Sequence, residues 1–124
     1  MAAQPHARRS LELRAEDTAP RTARAAVASW LSDISSATRD AIMLVVSELV
    51  TNAVKYGAAP ISLLIERSSQ AITVTVTDAG RHRPRRRTPG PRGGLGLHIV
   101  DTLCQHVITS KSETRISCTV QIRP

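Results

Sequence analysis

The sequence predicts an α+β fold: a two-layer sandwich in which a mixed, mostly antiparallel sheet is covered on one face by about three helices. Residues 72–77 alternate apolar and polar side chains, as expected for a strand with one buried face. Residues 40–56 carry apolar side chains at helical spacing. Helix-like and strand-like segments segregate along the chain, and short turns join the strands, which indicates antiparallel pairing.

The first half of the chain predicts one strand and two helices. Residues 11–16 alternate apolar and polar side chains, which is typical of a short strand. Asp17 and Thr18 can cap a helix that runs to about Leu31, with Pro20 in its first turn. The second helix covers residues 40–56, and Gly57 is expected to end it as a left-handed cap.

The second half predicts a hairpin, a loop, a third helix and a closing hairpin. Residues 61–67 and 72–77 form strands around a turn at 68–70. The three prolines within 81–92 exclude regular structure there. The remaining elements are a helix over 94–104 and strands over 106–110 and 115–123.

Composition predicts one cytoplasmic domain. We expect residues 1–10 to be a disordered leader without a signal peptide and residues 11–124 to form a single domain. No apolar run approaches the roughly 18 residues of a membrane span, so no membrane partner is expected. Cys104 and Cys118 show no metal spacing, which favours two reduced thiols.

The positive charge is concentrated in one loop. The net charge is +7, which would ordinarily suggest an anionic partner. Aromatic residues are scarce, with one Trp, one Tyr and no Phe, which counts against a module that stacks bases. Since a single basic cluster without a recognition motif fits a nucleic-acid-binding protein poorly, we expect no direct contact with nucleic acid. The clustered residues are Arg81, Arg83, Arg85, Arg86, Arg87 and Arg92.

The second helix carries polar residues that suit a Mg-nucleotide site. Glu48 and Asn52 are four residues apart, so they project from the same side of the helix. An amide oxygen such as that of Asn52 is a suitable Mg²⁺ ligand, and a neighbouring carboxylate can accept a proton from a hydroxyl. Lys55 offers a charge to a phosphate, and Tyr56 a ring to a purine. The alternative interpretation is an ordinary polar outer face.

Two further motifs follow in the order that a nucleotide site requires. Asp78 ends a strand, where its carboxylate can accept a hydrogen bond from an exocyclic amine, and Gly80 permits close approach of a ring. The alternative is a turn aspartate that caps its own backbone. Residues 93–96, Gly-Gly-Leu-Gly, precede a helix whose N-terminal N–H groups could bind phosphate, although a simple tight turn would use the same residues.

Taken together, these motifs resemble those of the Bergerat-fold ATPases, the superfamily of gyrase, mismatch-repair ATPases and histidine kinases. Glu48-xxx-Asn52-Ala resembles the N box, Asp78-Ala-Gly80 the G1 box, and Gly94-Leu95-Gly96-Leu the G2 box. The resemblance runs from about Leu11 to Pro124. Within the superfamily, residues 47–53, Ser-Glu-Leu-Val-Thr-Asn-Ala, are similar to the stand-alone bacterial anti-sigma factor serine/threonine kinases.

The resemblance implies an ATP-binding kinase-like domain with ATP and Mg²⁺ as cofactors. Glu48 would be the general base, Asn52 the Mg²⁺ ligand, and Asp78 the adenine contact. The resemblance also assigns Gly80, Gly94, Gly96 and, before the last strand, Thr114 to the nucleotide site. The predicted contacts are completed by Asn52 itself, Leu95 and, from the residue chemistry above, Lys55 and Tyr56. The implied partners are a sigma factor and an anti-anti-sigma protein, which is the phosphorylated substrate, and the implied assembly is a homodimer.

Three functions remain open on these residues. The first is a protein serine/threonine kinase that regulates a sigma factor, which the intact Glu48 favours. The second is a catalytically silent ATP-binding partner-switch module, which the short, arginine- and proline-rich lid over 81–92 leaves open. The third is a nucleic-acid-binding protein, which the single basic cluster disfavours.

Overall fold

The computed structural model describes residues 7–80, 104–109 and 113–122, with only the backbone described over 104–109. The elements are β1 Ala7–Leu13, α1 Ala19–Trp30, α2 Ser36–Tyr56, β2 Ile61–Arg67, β3 Ala71–Asp78, β4 Cys104–Thr109 and β5 Thr114–Gln121. The α+β class is confirmed. The expected loop over 81–92 and most of the expected helix over 94–104 lie outside the described residues, and Cys104 itself begins β4.

The five strands form one sheet in the order β1-β2-β3-β5-β4. The expected mixed sheet is antiparallel in each described pair. Helices α1 and α2 pack together and place their apolar stripes on one face of the sheet, as the binary pattern predicts. The core therefore joins α2 residues such as Val46 and Leu49 to inward residues of β3 such as Ile72 and Val74, all at most 1% exposed.

Helix α2 is the longer of the two described helices. Its 21 residues begin after Ser35, and its buried positions recur at helical spacing from Ile42 to Ala53. The sequence placed its start four residues too late, because residues 36–39 lack the apolar signal that marks the rest of the helix. Among the helices that the structure describes, none is both long and apolar enough to cross a membrane.

Strand β1 begins earlier than the sequence indicates. It pairs with β2 from Ala7 opposite Arg67 to Leu13 opposite Ile61. Residues 7–10, assigned to the disordered leader, are thus part of the sheet, and residues 14–16 lie beyond the strand. The side chains of 7–10 are exposed, so they show no apolar alternation. Backbone pairing does not require that alternation, and Arg8 adds an ion pair to Glu66 of β2 at 3.5 Å.

The expectation of two reduced thiols is wrong. Cys118 is disulfide-bonded and fully buried. The register of β4 and β5 places Cys104 opposite Cys118. Strand pairing brings these two cysteines together although they are 14 residues apart in sequence. Sequence spacing, which was used to judge metal binding, does not reveal such a pairing.

An ion pair ties the loop between the helices to the end of β2. The Arg67 guanidinium donates to both carboxylate oxygens of Asp33, at 2.9 and 2.6 Å. This hydrogen bonding lowers the pKa of Asp33 and raises the pKa of Arg67. The pair therefore stabilises the fold above the pKa of Asp33 in the unfolded chain, about 3.9, and this contribution is lost as the pH falls through the lower pKa of the folded protein.

We expect Asp33→Asn to lower the melting temperature slightly at pH 7 and to have an effect that shrinks as the pH falls below the ordinary pKa of an aspartate, about 3.9. The effect at pH 7 is expected to be small because the pair is solvent-exposed. Thermal unfolding of both proteins between pH 2 and pH 7 measures the difference. A difference that stays constant or grows toward low pH would contradict this role of the pair.

Candidate functional site

The second half of α2 presents its polar residues along one side of the helix. Asn52 is 1% exposed, Glu48 is half-buried, and Tyr56 is 36% exposed. Lys55 is exposed. A helix with a simple polar outer face would leave Asn52 in solvent, so this alternative does not describe Asn52.

The side chain of Asn52 is a buried polar group without a complete set of partners. Its Nδ2 is buried, and no atom among the described residues accepts a hydrogen bond from it. A buried polar group left in this state costs about 1–3 kcal/mol. Because the two ends of an amide are assigned from their hydrogen bonds, either the oxygen or the nitrogen can face a polar ligand. Asn52 therefore suits contact with a metal ion or a phosphate.

Glu48 lies one turn before Asn52, beside a polar contact that connects the two helices. Arg24 Nη1 of α1 donates to Ser47 Oγ at 3.1 Å, and Ser47 Oγ donates to the Met43 carbonyl at 2.8 Å. These bonds occupy Ser47, whereas Glu48 itself has no hydrogen-bond partner in the described ranges. A half-buried carboxylate of this kind is available to accept a proton.

The Asp78 carboxylate holds the end of β3 against the end of α2. Its Oδ1 accepts hydrogen bonds from the backbone N–H groups of Gly80, at 2.8 Å, and of Ala58, at 3.3 Å. The Ala79 N–H donates in turn to the Ala58 carbonyl at 2.8 Å. The alternative interpretation of Asp78 as a turn aspartate is thus geometrically correct. It does not exclude a ligand, since an ionised carboxylate has about four acceptor positions.

Thr114 belongs to the same cluster. It lies opposite Asp78 in the register of β3 and β5 and is fully buried. Its Oγ1 donates to the Gly80 carbonyl at 2.8 Å, which fixes the turn after β3. Gly80 packs closely here, because a Cβ on it would lie 3.1 Å from Ala58 N.

The structure brings together Asp78, Gly80 and Thr114 with the residues that follow Tyr56 at the end of α2. Lys55 and Tyr56 are the last two residues of α2, and Gly57, which follows them, lies against Asp78. Gly94, Leu95 and Gly96 lie outside the described residues, so their expected place beside the phosphates stays a prediction. Sequence reasoning missed the backbone N–H of Ala58, which donates to Asp78, because Ala58 carries no functional group that marks it.

A groove of about 660 Å³ lies on the opposite face of the sheet. Hydroxyl-bearing side chains and Arg115 line it, and Thr75 and Ser117 are joined there by a hydrogen bond of 2.9 Å. None of the predicted site residues that the structure describes lines this groove.

Known proteins show similarity at the level of family and fold. The profile of the histidine kinase-like ATPase domain family matches residues 13–121. The solved structure of the RsbU and RsbW domains of Rv1364c from Mycobacterium tuberculosis is similar, with a TM-score of 0.71 and 23% sequence identity. The similarity covers 97% of this chain and 33% of that one, so this chain spans about a third of the length of its structural relative. No curated protein sequence matches significantly.

Proposed function

Because the chain belongs to the histidine kinase-like ATPase domain family, we propose that residues 7–124 form a single domain that binds MgATP. We propose further that it is an anti-sigma regulatory kinase, which phosphorylates a serine or threonine of an anti-anti-sigma partner. The observation that carries this proposal is the pair on α2. Asn52 has a buried amide whose Nδ2 finds no acceptor in the part of the chain that the structure describes, and it lies one turn after the half-buried Glu48.

The nucleoside end of the site is assigned to the cluster at the end of β3. Asp78 accepts the hydrogen bond of the adenine amino group, and Gly80 and Thr114 fix the turn beside it. Support comes from the three hydrogen bonds at 2.8–3.3 Å that hold this carboxylate and this turn in place. Tyr56 offers its ring to the base or ribose, and Lys55 its ammonium group to a phosphate.

The phosphate end of the site is assigned to Asn52, with Gly94, Leu95 and Gly96 forming the loop around the phosphates. The Asn52 amide fits a Mg²⁺ ion, which takes oxygen ligands and usually has only one or two from the protein. When bound, the ion neutralises charge on the phosphate oxygens. With its oxygen on the ion, the Asn52 amide would still have Nδ2, which lacks an acceptor among the described residues, to donate to a phosphate oxygen.

Glu48 is assigned the transfer step. Its carboxylate accepts the proton of a serine or threonine hydroxyl on the partner protein while the γ-phosphoryl group passes to that oxygen, the bond to the β,γ-bridging oxygen breaks and ADP leaves. The position of Glu48 supports this assignment, because Glu48 is half-buried and lies on the same side of α2 as Asn52, four residues earlier.

The partners are proposed from the resemblance and the fold. The sequence of residues 47–53 is similar to that of bacterial anti-sigma factor kinases, and the fold is similar to that of a structure containing an RsbW domain. We therefore propose a sigma factor as the protein held and an anti-anti-sigma protein as the protein phosphorylated. A homodimer, a cytoplasmic location and no direct contact with nucleic acid belong to the same proposal.

The test is transfer of a labelled phosphate. Purified protein is incubated with γ-labelled ATP, Mg²⁺ and each small anti-anti-sigma protein encoded in the same genome, and the label is located on the acceptor residue by mass spectrometry. We expect one acceptor to be labelled on serine or threonine. Binding of ATP and of a sigma factor without any labelled acceptor would favour the silent partner-switch module. Binding of neither would contradict the proposal.

A further inference from the structure

Gly57 lies directly against the Asp78 carboxyl group. A Cβ placed on Gly57 would lie 2.6 Å from Asp78 Oδ2 and closer still to Oδ1 and Cγ. The backbone of Gly57 has φ −100° and ψ −158°, which is extended, so the expected left-handed cap is wrong. Position 57 therefore favours glycine because a side chain would collide with Asp78, and not because the backbone adopts a conformation that only glycine tolerates.

The carboxylate has little freedom to move away from a new side chain. Asp78 is 3% exposed, and two backbone N–H groups, of Gly80 and Ala58, hold its Oδ1. Ala58 directly follows Gly57, so the segment that would carry the added methyl group also carries one of these donors. A methyl group on Gly57 would therefore displace the carboxylate and break at least one of the two bonds.

We propose that Gly57 is a positioning residue that sets the place of the Asp78 carboxylate, and through it the selectivity of the site for the 6-amino group of adenine. This inference rests on the proposed function. Gly57 touches no substrate in this assignment: it acts only by leaving room for a carboxylate that does. The contact links the end of α2, which carries Asn52, to the end of β3.

The test compares two nucleotides that differ only at the position Asp78 contacts. Purine riboside triphosphate carries hydrogen where ATP carries the 6-amino group, and the two have the same ribose and phosphates. Losing a hydrogen bond to a charged group weakens binding about 10- to 100-fold. We expect Gly57→Ala to weaken MgATP binding by about this factor and to leave binding of the purine riboside nucleotide unchanged. Titration calorimetry measures both affinities.

Ala28→Ser is the matched control, because it adds one heavy atom to an exposed residue of α1 that is not part of the cluster around Asp78. Its affinities for both nucleotides are expected to equal those of the wild type. Equal weakening of both nucleotides by Gly57→Ala would indicate general damage to the fold and would overturn the inference. Unchanged MgATP binding in Gly57→Ala would overturn it as well.

A second readout needs no nucleotide. Gly57→Ala is expected to lower the urea midpoint of the wild-type protein and to have no such effect in an Asp78→Ala background, where the carboxyl group is absent. An equal shift in both backgrounds would contradict the positioning role. If the wild type binds neither nucleotide, the proposed function and the selectivity role fail together. If it binds MgATP and the Gly57→Ala protein binds equally well, only the inference fails.

Discussion

Replacing Glu48 with glutamine is expected to slow phosphoryl transfer to the partner at least about 100-fold while leaving MgATP affinity nearly unchanged. General base catalysis typically contributes about 10²- to 10⁴-fold to a rate. Glutamine keeps the size and the hydrogen-bonding reach of glutamate but cannot accept the proton of the attacking hydroxyl. Because Glu48 makes no hydrogen bond or ion pair within the described part of the chain, the substitution removes no contact that holds α2 in place.

Single-turnover transfer from labelled ATP and calorimetric titration of MgATP separate the two effects. Asn52→Ala is the informative comparison, since it is expected to lose Mg-dependent nucleotide binding as well as transfer. Asn52 is 1% exposed, and its Nδ2 has no hydrogen-bond acceptor among the described residues, so alanine there removes a polar group that a ligand could satisfy. Undiminished transfer by Glu48→Gln would remove the base assignment. Equal nucleotide affinity of Asn52→Ala with and without Mg²⁺, at the wild-type level, would remove the metal assignment.

The parts of the fold that the sequence predicts are those in which one face is buried. Strands β2 and β3 and helix α2 show clear periodicity because their inward residues, such as Leu63, Val74 and Leu49, are at most 1% exposed. Residues 7–10 of β1 could not be predicted in this way, because their side chains are exposed and their pairing depends on backbone hydrogen bonds. Periodicity detects burial, and it does not detect an edge strand with two solvated faces.

The sequence indicates which side chains belong to the candidate site, but it does not indicate which of them contact one another. The order and spacing of Glu48, Asn52 and Asp78 indicate a nucleotide site once their helix and strand are assigned. The bond from Thr114 to the Gly80 carbonyl depends on strand pairing between β3 and β5, which links residues far apart in sequence. The place of Gly57 depends on how the end of α2 meets β3. A glycine after a helix is usually explained as a C-cap. The sequence therefore gives no indication that Gly57 packs against the Asp78 carboxyl group.

Asp78→Asn is expected to weaken binding of adenine nucleotides about 10- to 100-fold while the protein stays folded. The estimate follows from the loss of a hydrogen bond to a charged group, about 1.5–3 kcal/mol. An asparagine in the same position keeps an oxygen that can accept from the Gly80 and Ala58 N–H groups, as Asp78 Oδ1 does at 2.8 and 3.3 Å. Its other terminal atom becomes a donor, which cannot accept a hydrogen bond from the adenine amino group.

Asp33→Asn provides the matched control for this substitution. It makes the same chemical change at an exposed carboxylate that pairs with Arg67, away from the cluster around Asp78. Calorimetry should therefore give wild-type MgATP affinity for Asp33→Asn and much weaker binding for Asp78→Asn, with urea unfolding confirming that both proteins are folded. Purine riboside triphosphate should bind to wild type and Asp78→Asn alike, because neither complex contains the amino-group hydrogen bond. Equal MgATP affinity for wild type and Asp78→Asn would show that this carboxylate serves only the turn after β3, and that adenine is recognised elsewhere.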